Sequence, residues 1–170
     1  ILSNAVALES ARRKADELGY NTLILSSEIE GMANQVGVFH GKIAEEISVS
    51  GTPVKPPAVV LSGGESVVAL DEIGKEEGGP NQECVIGFAE KAGELNKAVF
   101  LSVDSDGIDG FSRFAGGIIG GNKTEINMDK IKEALRKHSS SDFLGKIGCG
   151  IETGETGTNV NDIRILGVAD

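Results

Sequence analysis

Stretches whose apolar residues recur at helical spacing alternate along this chain with short, continuous apolar runs, and that repeated change of period is what most limits its fold. Val6, Ala7, Leu8, Ala11, Ala15 and Leu18 share one face of a helix that Ser3 can cap and Gly19 can stop. The run NTLIL at 21–25 then reads as a short buried strand, after which Met32, Val36, Phe39, Ile43 and Ile47 return to helical spacing. Three of the four prolines, with a glycine, fall in SGTPVKPP at 50–57. That segment cannot continue a helix and reads as a linker or domain crossing.

Beyond it, 58–61 and 66–70 are expected as strands separated by SGGE, and DEIGKEEGG at 71–79 as a loop. A helix over 82–95 follows, then an apolar strand over 98–103, a helix over 128–138 with Ile131 and Leu135 inward, and a last strand over 163–168. The alternation predicts an α/β class, a mixed sheet with flanking helices. The mixture is expected because SGGE is short enough to join antiparallel neighbours.

Composition narrows the function. A formal net charge of −10 excludes general binding to nucleic acid or to a membrane surface. An anionic ligand would have to be held locally, by backbone N–H groups, a metal ion or a few placed cations. No apolar run approaches the roughly 20 residues of a membrane helix, and 1–19 lacks the plan of a signal peptide. A cytoplasmic location is expected. The chain opens without methionine on a helical pattern, which suggests a piece of a longer protein. Cys84 and Cys149 are too few for a disulfide scaffold and read as reduced structural thiols.

Four polar clusters sit at junctions between expected elements: LSGGES (61–66), GGPNQE (78–83), DSDGIDG (104–110) and TGETGTNVND (153–162). In open α/β sheets ligands collect outside the carboxyl ends of strands, which SGGE and DSDG both follow. The three aspartates of DSDGIDG repel one another unless a hard cation such as magnesium intervenes, or they serve as helix caps and Asx turns. A calcium loop is excluded by Ile108 at its fifth position and Ala115 at its twelfth. TGETGTN offers glycine amides and threonine hydroxyls to an oxyanion, and is equally a tight turn. In GGPNQE, two glycines allow close backbone approach at the start of a helix, where Pro80 and Asn81 also suit a plain helix start. GGIIGGNKT at 116–124 misses a P-loop because Asn122 separates glycine from Lys123, and no dinucleotide fingerprint follows a strand. With only His40 and His138 and no nucleophile elbow, a serine hydrolase or a histidine metal site is not expected, and His40 reads as structural.

Taken together and in this order, the four clusters resemble the C-terminal MOFRL domain of the glycerate 2-kinase family, some members of which carry an older hydroxypyruvate reductase label. The resemblance covers roughly 58–170, while the opening part, through NTLILS, is similar to the tail of that family's preceding Rossmann-like domain. It implies a division into 1–50, a linker at 51–57, and a MOFRL-like domain at 58–170. It also implies transfer of the γ-phosphoryl of ATP, with Mg2+, to the C2 hydroxyl of D-glycerate. Thr153, Gly154, Thr156, Gly157, Thr158, Asn159, Asn161 and Asp162 would line a cleft between two domains. Ser62, Gly63, Gly64, Gly78, Gly79 and Gln82 would add to the phosphate or substrate site, with Asn81 and Glu83 as polar contacts. Asp104 and Asp106 would hold the metal or orient the hydroxyl, and Glu65 joins them as a catalytic candidate. Pro80 departs from the pattern, since many relatives have arginine there; Lys75 or Arg113 would have to supply the cation. The implied partners are a sugar acid, ATP and an absent N-terminal domain, with a homo-oligomer left open. Reduction of hydroxypyruvate and a non-catalytic ligand-binding module are the alternatives.

Overall fold

The computed structural model describes residues 2–69, 77–91, 95–120 and 127–170. Helix α1 (Asn4–Glu17) starts where the Ser3 hydroxyl accepts from the Val6 amide at 3.4 Å, and Gly19 past its end has φ +88°. Strand β1 (Asn21–Met32) and helix α2 (Ala33–Ser50) follow, with Gly51 in the left-handed C-cap position. After the proline-rich crossing come β2 (Ala58–Val67), α3 (Pro80–Lys91), a 3-10 turn at Leu95–Lys97 and β3 (Ala98–Asp104). The chain closes with β4 (Gly116–Gly120), α4 (Met128–Lys137), α5 (Ser140–Lys146), β5 (Gly150–Ile151) and β6 (Asp162–Val168).

One six-stranded sheet runs in the order β1-β2-β6-β3-β4-β5. β1 is parallel to β2, and β6 is antiparallel to both β2 and β3. The α/β mixed sheet is therefore present, but for a different reason from the one expected. SGGE is not a turn between two strands. It lies inside β2, with β1 on one side and β6 on the other, and the antiparallel pairing comes from the last strand inserting between β2 and β3. Of the expected second strand at 66–70 only Ser66 and Val67 are strand, as the end of β2, and Val68 and Ala69 lie beyond it. Leu70, the loop at 71–76 with Lys75, and the end of the helix expected to Leu95 at 92–94 lie outside the described residues. Close packing explains the glycines there: a Cβ on Gly64 would stand 2.3 Å from both the N and the O of Ile29.

β1 also runs further than the apolar run NTLIL suggests, through two register shifts to Met32. Met32 is consequently the α2 N-cap rather than a core residue, and Phe39 on the same expected face is exposed. Val36, Ala44 and Ile47 of α2 do turn inward, joining Phe88 of α3 and Phe100 of β3 in the main core. The α2–α3 contact is close because glycines face it: a Cβ on Gly37 would lie 1.9 Å from the Cys84 carbonyl oxygen. α1 covers the opposite face through Leu8, Ala11 and Ala15 on Val59, Leu61, Ile163 and Ile165. Val6 and Leu18, expected on that apolar face, are exposed. Among the described residues no helix is long and apolar enough to cross a membrane.

Candidate functional site

Because β6 runs opposite to β2 and β3, the carboxyl ends of β1, β2 and β3 share one sheet edge with the start of β6. All four polar clusters reach that edge, where α/β sheets gather ligands. Asp104 and Gly64 flank Asp162 in the ladder, so SGGE, DSDG and the end of TGETGTNVND are direct neighbours.

At the centre is a buried polar network. Asp162 accepts from the Ser66 amide at 3.0 Å, from the Ser66 hydroxyl at 3.1 Å and from Asn81 Nδ2 at 2.6 Å, and it pairs with Arg164. The Arg164 guanidinium also donates to the Gly63 carbonyl at 3.2 Å and to Ser66 Oγ at 3.1 Å. Arg164 is wholly buried, and one cation on the last strand therefore ties two of the four motifs together. Sequence reading passed over it as part of an apolar strand. The available signal was the alternation Asp162, Arg164, Leu166, Val168 on one face of β6, which places a charged pair on the core side.

Asp109 is the second hub. Its carboxylate accepts from the amides of Asn81 at 3.0 Å and Gln82 at 2.9 Å, and from Gln82 Nε2 at 2.9 Å. It thus caps α3 from 28 residues away. The third aspartate of DSDGIDG is a helix cap, as one of its two sequence readings allowed. Burial pushes the Asp109 carboxyl up to about 6 despite these donors.

Several residues expected to face a ligand are instead turned into the protein. Ser62 is buried and donates to His40 Nε2 at 2.8 Å, while His40 Nδ1–H donates to the Val36 carbonyl at 2.8 Å. His40 is thereby structural, as expected, and burial lowers its pKa to about 4. The Gln82 carbonyl oxygen accepts from Ser141 Oγ at 2.7 Å, and Glu83 accepts from His138 Nδ1 at 2.6 Å. Burial raises the Glu83 carboxyl even so, outweighing its histidine partner. Gly79 is also buried, under the Asp109 carboxylate and backbone, and the Gly78 carbonyl accepts from the Phe111 amide at 3.0 Å. Ser62, Gln82 and Glu83 match buried donors or acceptors, whereas Gly78 and Gly79 are required for space, since a Cβ would lie 2.2 Å from Ser140 Oγ and 2.3 Å from Asp109 Cγ.

The open part of the site is formed by DSDG and the 152–161 loop. Residues 152–159 are all exposed. Gly154, Gly157 and Asn161 have positive φ, at +68°, +72° and +66°. The loop is held over β3: the Thr156 amide donates to the Asp106 carbonyl at 2.9 Å, Thr156 Oγ1 to the Ser105 carbonyl at 2.5 Å and the Val160 amide to Ser105 Oγ at 2.7 Å. Asn159 Nδ2 donates to Asp106 Oδ2 at 3.1 Å. Thr153 and Thr158 remain on the exposed side. The Asp104 carboxylate accepts from the Asp106 amide at 3.0 Å, and its pKa is raised, first by burial and then by the charges of Asp106 and Asp162. Asp104 and Asp106 thus form a half-buried carboxylate pair at a strand end. No cluster of three metal-ligating side chains occurs among the described residues. Two carboxylates nevertheless suit magnesium, which commonly takes one or two from protein and completes its shell with water and phosphate. Glu65 is exposed but alternates to the other face of β2 from Ser66, away from the side on which Asp104 and Asp162 lie. Arg113 lies 3.7 Å from Glu152 and over the Phe114 ring, at the margin of this loop.

Comparison with known proteins fits this arrangement. The model of the MOFRL family matches residues 58–162, which include all four motifs. A glycerate 2-kinase from Pyrococcus horikoshii is 38% identical over 97% of this chain, and a D-glycerate 2-kinase from Thermotoga maritima is 34% identical over 92%. A protein from Agrobacterium vitis named as a putative hydroxypyruvate reductase is 37% identical over 98%. Crystal structures of a Pyrococcus horikoshii protein and of glycerate kinase from Thermotoga maritima superpose with TM-scores of 0.94 and 0.92 over 100% and 98% of this chain, at 38% and 30% identity. The chain spans only 38% of the length of each of the two kinases, 44% of the Agrobacterium protein, and 39% and 41% of the two solved chains. With its four motifs inside the matched segment, this chain belongs to the MOFRL family.

Proposed function

We propose that these residues are the C-terminal part of a cytoplasmic, ATP-dependent glycerate kinase that phosphorylates D-glycerate at the C2 hydroxyl to give 2-phosphoglycerate. The observation that carries the reading is the convergence of the Asp104–Asp106 carboxylate pair with the exposed 152–159 loop at one sheet edge. Relatives named as glycerate 2-kinases support it.

Phosphoryl transfer asks a protein for positioning and charge stabilisation more than for covalent chemistry. Residues of this chain can supply both. The loop's exposed glycine amides and the Thr158 hydroxyl offer donors to phosphoryl or carboxylate oxygens, while Thr153 Oγ1 donates to the Gly154 carbonyl at 2.9 Å and would have to turn from it to join them. Asn159 orients Asp106, and the Asp106 amide orients Asp104. A magnesium ion held by Asp104 and Asp106 would supply neutralising charge at the phosphates. Glu65, on the opposite face of β2, is left without a part in this step. The further catalytic cations are assigned to the part of the longer relatives that this chain does not cover.

The test is glycerate-dependent ADP release by the longer polypeptide and by residues 1–170, with the phosphorylated position read by 31P NMR. Release from the longer protein giving 2-phosphoglycerate is the expected result. Absence of release, together with hydroxypyruvate-dependent loss of nicotinamide absorbance, would replace the kinase reading with a reductase.

A further inference from the structure

Asn4, the first residue of α1, reaches the candidate site from outside the 58–162 family segment. Its Nδ2 donates to two backbone carbonyls of the loop's end, Val160 and Asp162, each at 2.8 Å. The residue between them, Asn161, has φ +66°, a left-handed conformation that asparagine tolerates better than most side chains. One amide group closes over both carbonyls that flank this turn.

The other end of the Asn4 side chain is unmatched. Asn4 Oδ1 is buried with no hydrogen-bond partner. It lies against Gly63, where a Cβ would come within 1.7 Å of it. A buried carbonyl without a donor is a cost, and such local costs concentrate where geometry serves function. Gly63 is therefore required for the space that Asn4 occupies.

We propose that Asn4 is a positioning residue through which α1 fixes the C-terminal root of the 152–161 loop, and so sets where the loop's donors meet the phosphoryl-bearing ligand. The proposal rests on the kinase reading for its ligand, though not for the loop contact. The substitution Asn4→Asp is isosteric, removes both donors and sets a carboxylate against two carbonyl oxygens. It leaves the helix competent, because α1 has no acidic residue in its first turn and a negative charge there is favourable. Asn4→Leu removes the donors without adding charge.

The decisive measurement is hydrogen exchange in residues 1–170, amide by amide, with steady-state kinetics of the longer enzyme beside it. Both variants are expected to speed exchange at Thr156 and Val160 by roughly tenfold or more, the scale of two lost hydrogen bonds only partly felt at each amide, with α3 amides unchanged. KM for glycerate or ATP should rise by a similar factor while kcat changes less. Unchanged exchange at Thr156 and Val160, or acceleration spread equally over α3 and β3, would overturn the proposal. If the unaltered longer protein shows no glycerate-dependent turnover, the kinase reading fails and the exchange result still decides the role of Asn4.

Discussion

Arg164 and Asp162, two residues apart on the same face of β6, form an ion pair with side-chain exposures of 0% and 5%. Desolvating two charges costs several kcal/mol and is offset only while both remain. Arg164→Met alone should therefore destabilise the chain by about 3–5 kcal/mol, since it strands a buried carboxylate. Adding Asp162→Asn should recover part of that loss, because the amide is neutral and its oxygen still accepts from Ser66 or Asn81. Urea denaturation of the two variants measures both effects; a double variant no better than the single would show that the pair is not the source of the cost.

Asp109 and His40 titrate in overlapping pH ranges with opposite consequences. The Asp109 carboxyl, about 6 in the fold, lies above its unfolded value near 3.9. The folded state then holds more protons between those values, and this group's contribution to stability falls as pH rises from about 4 to about 6. His40, about 4 in the fold, lies below its unfolded value near 6.5, and its contribution is lost as pH falls between them. Across about pH 4–6 the two slopes oppose one another, so unfolding free energy should rise with pH in Asp109→Asn, where only the His40 slope remains, and fall with pH in His40→Phe, where only the Asp109 slope remains. Identical slopes in both variants would contradict the assignment.

Gly37 should not tolerate alanine. Its Cβ would meet the backbone of Cys84 and Phe88, at 1.9 Å and 2.7 Å, and neither can rotate away. Thermal and urea unfolding of Gly37→Ala should show a loss of at least about 2 kcal/mol from overpacking. Gly145→Ala is the control: its Cβ would make ordinary contact with Phe114 at 3.7 Å. That change should be neutral or stabilise the chain by up to about 1 kcal/mol, because alanine is the better helix former.

Asp104→Asn in the longer enzyme should lower kcat/KM by at least about 100-fold, the usual scale for removing one group that faces developing charge. The fold should be untouched, because Asn can still accept from the Asp106 amide. An unchanged kcat/KM and magnesium dependence would remove Asp104 from the site, whatever the activity proves to be.

By itself the sequence determined the local choices. Ser3 caps a helix whether or not anything packs on it, glycine pairs take positive φ or close approaches, and a change from helical spacing to a continuous apolar run marks a strand. Those features, with four polar clusters at element junctions, were enough for the α/β class, for the family and for the position of the 152–161 loop. Tertiary structure decided which polar residues are free to meet a ligand. SGGE reads as a turn from its composition, and becomes the interior of β2 only because β1 and β6 flank it with ladders from residues far away in the chain. Ser62, Gln82 and Glu83 carry the same side chains as a ligand site would, yet each is matched by a residue 22, 59 or 55 positions away. Asn4 gives no local sign of its part, because the carbonyls it holds are 156 and 158 residues distant. A polar side chain's function depends on whether a buried partner consumes its hydrogen bonds, and strand insertion and long-range pairing settle that question only when the whole sheet has formed.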